Sequence, residues 1–186
     1  VMKTLRALAA LLSYPSADLI EAADEIRQVI DGDAILPLAV RGELHRLIDD
    51  LAGGDLYDLQ ERYGLLFDRT RSLSLHLFEH VHGESRDRGQ AMVDLLKLYE
   101  ESGYTPTATE LPDFLPLFLE YASTRPPQAA IELRFESLSA AAVDLIDVRI
   151  AAAGLGGGRA RITASRALVA GRRLQHVKLE CGDFAV

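Results

Sequence analysis

Apolar residues recur along this chain at intervals of three and four positions, and this spacing limits the possible folds more than any other feature. Leu5, Leu8 and Leu12 show it in the first segment, where they would share one helix face. Strand signals are weak, because no two alternating apolar runs are joined by Asn-Gly or Asp-Gly. We therefore predict an all-α fold, a bundle of about eight or nine helices. The length suits one domain, and we expect residues 1–186 to form a single helical domain.

Proline, glycine and capping residues divide the first third of this pattern into helices. Pro15 ends the first helix, and Ser16 is a natural N-cap for the second. Gly53-Gly54 closes a later helix. Asp55 follows directly and can cap the next one.

In the central region the same signals predict three more helices. One is expected over residues 72–82, ending at Gly83, and the next from about Ser85 to Gly103. A short apolar helix follows residues 110–113, and Pro116 inside it should kink or loosen its first turns.

Towards the C-terminus the pattern continues and then changes. Residues 128–153 keep helical spacing, and the glycine run at 154–158 predicts a flexible break. We predict a last, arginine-rich helix over residues 159–174.

Charge is spread unevenly along the chain. Residues 1–150 carry 14 Lys/Arg and 26 Asp/Glu, a net charge of −12, whereas residues 151–186 carry 6 and 2, a net charge of +4. An acidic body argues against a nucleic-acid partner, which would need a basic face. The same body would suit a cationic peptide partner.

Three further features bear on the compartment. No run of 18 or more apolar residues occurs, so we expect no stable membrane insertion. Cys181 is the only cysteine, which excludes an internal disulfide framework and favours a reducing cytoplasm. We interpret the apolar N-terminal segment as the first helix rather than a signal peptide, because Arg6 interrupts it.

Polar side chains crowd into the central region beside much apolar surface. His76, Glu79 and His80 have the form H-x-x-E-H, which on a helix could hold zinc with the glutamate as general base. A zinc-dependent peptidase is therefore an alternative, although a third ligand is not evident. The charged run Ser85–Arg88 is typical of a solvated helix start. A helical scaffold without a binding groove is a third possibility.

Three segments carry a resemblance to a known family. They are FEHVHGESRDRGQAMVDLL (Phe78 to Leu96), the preceding ERYGLLFDRTRSLSLHL, and ELPDFLPLFLEY (Glu110 to Tyr121). Together they resemble the NarJ family, the assembly chaperones of respiratory nitrate reductase within the TorD-like superfamily of all-helical chaperones. The tail after about Ile150 departs from the family pattern, because it is rich in glycine and arginine.

The resemblance implies a role without an active site or a cofactor of its own. Members bind the N-terminal segment of the nitrate reductase catalytic subunit in the cytoplasm. They hold it until the bis-molybdopterin guanine dinucleotide cofactor and an iron–sulfur cluster are inserted. By this resemblance we expect a client-specific chaperone that is a monomer or a weak dimer.

The resemblance also implies which residues bind the client peptide. Superfamily members commonly have histidine after Pro-Asp, where this chain has Phe114, so a role of that histidine does not transfer. The implied positions come from the three family segments: Tyr63, Phe67, Asp68, Arg69, His76, Glu79, His80, Glu84, Pro112, Asp113 and Glu120.

Overall fold

A computed structural model describes residues 2–32, 36, 38–82, 85–106, 109–126, 161–162 and 179–180. Within these ranges eight α-helices follow one another, and one π-helical turn and one 3₁₀ turn lie between α5 and α6. The helices are α1 (Met2–Leu11), α2 (Ala17–Glu21), α3 (Ala23–Gly32), α4 (Leu38–Gly53), α5 (Leu56–Tyr63), α6 (Leu77–Val81), α7 (Asp87–Glu101) and α8 (Leu115–Ser123). The π turn spans Gly64–Asp68 and the 3₁₀ turn spans Arg71–Leu73.

The prediction of an all-α fold is confirmed. The described part holds one strand pair, in which β1 (Arg161–Ile162) lies antiparallel to β2 (Leu179–Glu180). The predicted helix over 159–174 is therefore wrong at residues 161–162, because their backbone pairs with another segment instead of with its own next turn. The rest of that helix, the helix over 128–153 and the glycine break at 154–158 lie outside the described residues.

Capping side chains place the helix starts where the sequence predicts them. The Ser16 hydroxyl accepts a hydrogen bond from the Leu19 N–H at 3.2 Å, and Asp55 accepts one from the Tyr57 N–H at 2.9 Å. Each bond satisfies an N–H that has no partner inside its helix. Gly103 follows α7 with φ of 72°, the left-handed conformation that commonly ends a helix at glycine.

Two predicted features of the central region are wrong. The helix over 72–82 is replaced by the 3₁₀ turn, an extended stretch through His76, and the short helix α6. The extended stretch forms because its backbone pairs with residues near Phe114, as described below. Pro116 causes no kink, because it lies in the first turn of α8, where the missing N–H has no intrahelical partner to lose.

The core lies where α1, α3, α4 and α8 meet. Helix α1 packs along α8 and also against α3, which in turn packs against α4. Ile30, Ile48 and Leu115 are fully buried at these contacts. Of the helices that the structure describes, none is both long and apolar enough to cross a membrane.

Candidate functional site

The backbone of residues 75–77 pairs with that of residues 113–115, and we name this pairing the joint. The Leu77 N–H donates to the Asp113 carbonyl at 3.0 Å, and the Leu115 N–H donates to the Leu75 carbonyl at 2.8 Å. Between these bonds His76 forms an isolated antiparallel bridge with Phe114. The joint therefore fixes the start of α6 against the start of α8.

The Asp113 side chain is completely buried inside the joint. Its Oδ2 accepts a hydrogen bond from the Phe78 N–H at 3.0 Å, which satisfies a free donor in the first turn of α6. Its Oδ1 lies 3.2 Å from Nδ1 of His76, which donates in the protonated ring. A buried carboxylate needs such partners, because without them its desolvation is costly.

A second carboxylate, that of Glu79, lies beside this site. Its Oε1 is 3.5 Å from Nη2 of Arg88, which also lies 4.0 Å from Oδ2 of Asp113. The pKa of Glu79 is lowered, chiefly by a hydrogen bond from Ser74 and further by the charge of Arg88. The pKa of His76 is raised, chiefly by its hydrogen bond to Asp113, although burial acts in the opposite direction.

The histidine pattern does not form the helix-face metal site that a zinc peptidase would need. His76 precedes α6 in an extended conformation, so it does not share a helix face with His80. Its ring is hydrogen-bonded to Asp113, whereas Nε2 of His80 donates to the Ser74 carbonyl at 3.0 Å. Over the residues that the structure describes, no group of three or more His, Cys, Asp or Glu side chains could hold a metal ion. The peptidase alternative is therefore without support.

The aromatic residues of the family segment ERYGLLFDRTRSLSLHL are buried. The Tyr63 hydroxyl donates to the Leu12 carbonyl at 3.1 Å, and its ring meets that of Phe67 edge-on at 4.9 Å. Burial raises the pKa of Tyr63, and the nearby charges of Asp68 and Glu110 raise it further. These two aromatic side chains belong to the core, with only small parts of their surface open to solvent.

The π turn decides which residues after Tyr63 face outward. The Arg69 N–H donates to the Gly64 carbonyl at 3.0 Å, a bond to the fifth preceding residue. This wider turn buries Phe67 and leaves Asp68 and Arg69 exposed.

A small apolar cleft of about 40 Å³ lies beside the buried aromatic pair. Tyr14 lies near it with 55% of its surface exposed, and its ring meets that of Tyr63 edge-on at 5.3 Å. The lining side chains come from α2, α4, α5, the π turn and the end of α1, and include Leu11, Pro15, Leu19, Leu51, Leu66 and Phe67.

The remaining predicted site residues are Pro112, Glu120 and Glu84. The Pro112 carbonyl accepts a hydrogen bond from the Tyr99 hydroxyl at 2.8 Å, so α7 holds this residue directly before the joint. Glu120 is exposed on α8, where it contributes to raising the pKa of Tyr104 to about 12, mainly a result of burial. Glu84 lies outside the described residues.

The structure thus brings together His76, Glu79 and Asp113 but places Asp68 and Arg69 on the separate surface of the π turn. Sequence reasoning missed Tyr14 and Arg88. Arg88 belongs to a charged run of the kind that is usually exposed to solvent. The sequence around it therefore does not predict its contacts with Glu79 and Asp113.

The fold of this protein is shared with a solved structure. It is similar to the crystal structure of an Archaeoglobus fulgidus protein described as a putative redox enzyme maturation protein, with a TM-score of 0.57 and 16% sequence identity. The similarity covers 83% of this chain and 91% of that protein. At this level of identity the similarity shows a shared all-helical fold and nothing more.

The family follows from the sequence. A family model described as the nitrate reductase delta subunit matches residues 33–151, and the chain belongs to this family. It is 49% identical over 122 residues to the nitrate reductase molybdenum cofactor assembly chaperone NarJ of Escherichia coli K12, covering 66% of this chain and 52% of that protein. It is 33% identical over 127 residues to a Bacillus subtilis protein described as a probable NarJ, covering 68% of each.

A third relative, the nitrate reductase-like protein NarX of Mycobacterium tuberculosis H37Rv, is 32% identical over 123 residues, covering 66% of this chain and 18% of that protein. The chain spans about half the length of the E. coli relative. The resemblance to the NarJ family is confirmed.

Replacing His76 by glutamine should change how stability depends on pH. Because the pKa of His76 is raised in the folded state, its contribution is complete below the unfolded value and is lost as pH rises through the folded value. The difference in unfolding free energy between parent and variant should therefore be larger at about pH 5.5 than at about pH 8.5. Because the ring is partly exposed, the change should be a fraction of the about 1.4 kcal/mol that one pKa unit represents.

Urea unfolding at both pH values measures this difference. His82→Gln is the matched control for the loss of a nearby histidine. A difference that grows with pH would show that the bond to Asp113 does not depend on the charge of His76.

Proposed function

We propose that this protein is a non-enzymatic, cytoplasmic chaperone that binds the N-terminal segment of the catalytic subunit of respiratory nitrate reductase. It holds this client while the molybdenum cofactor is inserted and the enzyme is assembled. The observation that carries the proposal is the family match over residues 33–151, which contain every predicted site residue, together with the 49% identity to the E. coli chaperone NarJ.

The surface around the π turn supports binding of an amphipathic helix. Such a helix places spaced apolar side chains into a groove. Tyr14 is exposed near the small apolar cleft, Leu65 is exposed on the π turn, and both could contact apolar side chains of the client. Asp68 and Glu110 are exposed and both act on Tyr63, so they supply negative charge at this end for a basic residue of the client.

The joint contributes to this site in another way. Asp113 and Glu79 already face His76 and Arg88 inside the protein. A cation of the client would have to displace these partners, at the cost of a buried charge left unpaired. We therefore assign Asp113 and Glu79 to positioning the site and Asp68 to contacting the client.

Titration with a synthetic peptide tests the proposal. The peptide is the N-terminal segment of the cognate nitrate reductase catalytic subunit, and a scrambled peptide of the same composition is the control. Saturable binding of the first alone supports the function. Equal binding of both peptides, or binding of neither, contradicts it.

Replacing Asp68 by alanine or by asparagine should weaken client binding. If the client covers this carboxylate, each change should cost about 1–3 kcal/mol of binding free energy, because the charge pair is lost. Folding stability should stay within about 0.5 kcal/mol, since Asp68 is an exposed side chain. Calorimetric titration with the client peptide and thermal unfolding measure the two quantities.

The control for this prediction is Asp94→Ala, which removes another exposed carboxylate on α7. It should bind the client like the parent. If Asp68→Asn also binds like the parent, the charge of Asp68 has no part in recognition and the assignment is wrong.

A further inference from the structure

Arg88 is the least expected member of the joint region. About a quarter of its side chain is exposed, although its neighbours in the sequence, Arg86 and Asp87, are exposed residues. Its Nη2 lies 3.5 Å from the Glu79 carboxylate and 4.0 Å from that of Asp113. Its Nε is buried and has no hydrogen-bond partner within the described residues. Burying part of a guanidinium in this way has an energetic cost, which its position between two carboxylates offsets.

Among the described charged groups around Asp113, only His76 changes its charge near neutral pH. The groups that face His76 are Asp113, Glu79 and Arg88, and Arg71 acts on Glu79 from the 3₁₀ turn. An arginine stays protonated at every pH at which proteins fold, whereas a histidine loses its charge near neutrality. When His76 is neutral, Arg88 is therefore the remaining cation beside the buried Asp113 carboxylate among the residues described.

We propose that Arg88 is a positioning residue of the client site, whose permanent charge faces the buried Asp113 carboxylate and keeps the joint closed after His76 has lost its proton. The part of this proposal that concerns client binding rests on the proposed function. Arg88 belongs to α7, so it ties a third element to the two that the joint connects.

The joint is connected to the surface around the π turn, where the client is proposed to bind, by the segment before Asp113. Glu110 lies three residues earlier and is close enough to Tyr63 to raise its pKa. Opening the joint frees the segment that carries Glu110, so the negative charge beside Tyr63 is no longer fixed. Client affinity should therefore follow the state of the joint.

Replacing Arg88 by glutamine tests the proposal at two pH values. At about pH 6 a charged His76 still faces Asp113, so the variant should bind the client peptide with less than about threefold loss. At about pH 8.5 the loss should reach about tenfold or more, because Asp113 then lacks both cations. The free energy of unfolding, measured in urea, should show the same dependence on pH.

Two matched variants separate charge from structure. Arg86→Gln removes an exposed arginine from the same run and should leave affinity and stability unchanged at both pH values. Arg88→Lys keeps the positive charge and should restore most of the parent's pH profile. An Arg88→Gln variant that loses the same affinity and stability at both pH values would show a merely structural role and overturn the proposal.

The titration of His76, followed by NMR, gives a readout that needs no client. Arg88 lowers the pKa of His76, so Arg88→Gln should raise it, while Arg88→Lys should stay near the parent. An unchanged His76 titration in Arg88→Gln overturns the proposal. If the parent does not bind the peptide at all, the proposed function fails, whereas the NMR and urea measurements still decide whether Arg88 controls the joint.

Discussion

Replacing Asp113 by alanine is expected to lower the free energy of unfolding by about 3–5 kcal/mol, one of the two largest effects that we predict. The carboxylate is completely buried and accepts hydrogen bonds from the Phe78 N–H and from His76. Its removal leaves the Phe78 donor without a partner at the start of α6 and removes one of the two carboxylates that face Arg88. A buried group that loses its hydrogen-bond partner lowers the free energy of unfolding by more than the net contribution of the bond, because its desolvation is no longer offset.

Asp113→Asn separates the contribution of the charge from that of the shape. The amide oxygen can still accept the Phe78 N–H, so we expect a smaller loss, about 1–3 kcal/mol. Urea unfolding of both variants at neutral pH measures the losses, and Asp68→Ala is the control for an exposed aspartate. If Asp113→Ala costs less than about 1 kcal/mol, the carboxylate does not hold the joint together.

How much of this fold the sequence predicts depends on how local each interaction is. The caps at Ser16 and Asp55 bond N–H groups two or three residues ahead, so their residue types alone predict them. The extended stretch at His76 depends on pairing with Phe114, 38 positions away. Periodicity within one segment carries no information about such a partner, so the pattern of residues 72–82 alone predicts one helix.

The same reasoning applies to the candidate site. Asp113 can be predicted as a site residue only through the family resemblance, and its burial against α6 appears only in the folded chain. A zinc site at the H-x-x-E-H pattern requires His76 and His80 on one helix. The backbone at His76 is extended, so this requirement is not met. Arg88 was missed for the converse reason, because its solvent-like sequence context hides contacts that come from two other elements.

Replacing Tyr99 by alanine should also destabilise the fold by about 3–5 kcal/mol. The side chain is fully buried, and its ring packs against Tyr121 at 4.6 Å and Tyr104 at 5.7 Å between ring centres. Truncation removes these contacts and leaves a cavity that its surroundings fill only partly. The hydroxyl adds a second function, because it donates to the Pro112 carbonyl and so links α7 to the joint.

Tyr99→Phe keeps the ring and removes only that bond, so it should cost about 1–2 kcal/mol. Urea unfolding of the two variants separates packing from hydrogen bonding, and the same pair of changes at Tyr57, which is 79% exposed, should each stay within about 0.5 kcal/mol. Because Pro112 precedes Asp113, Tyr99→Phe should also weaken client binding more than its effect on stability alone would require. If Tyr99→Phe binds the client like the parent, the Pro112 contact supports the fold but not the site, and the joint does not need α7 on this side.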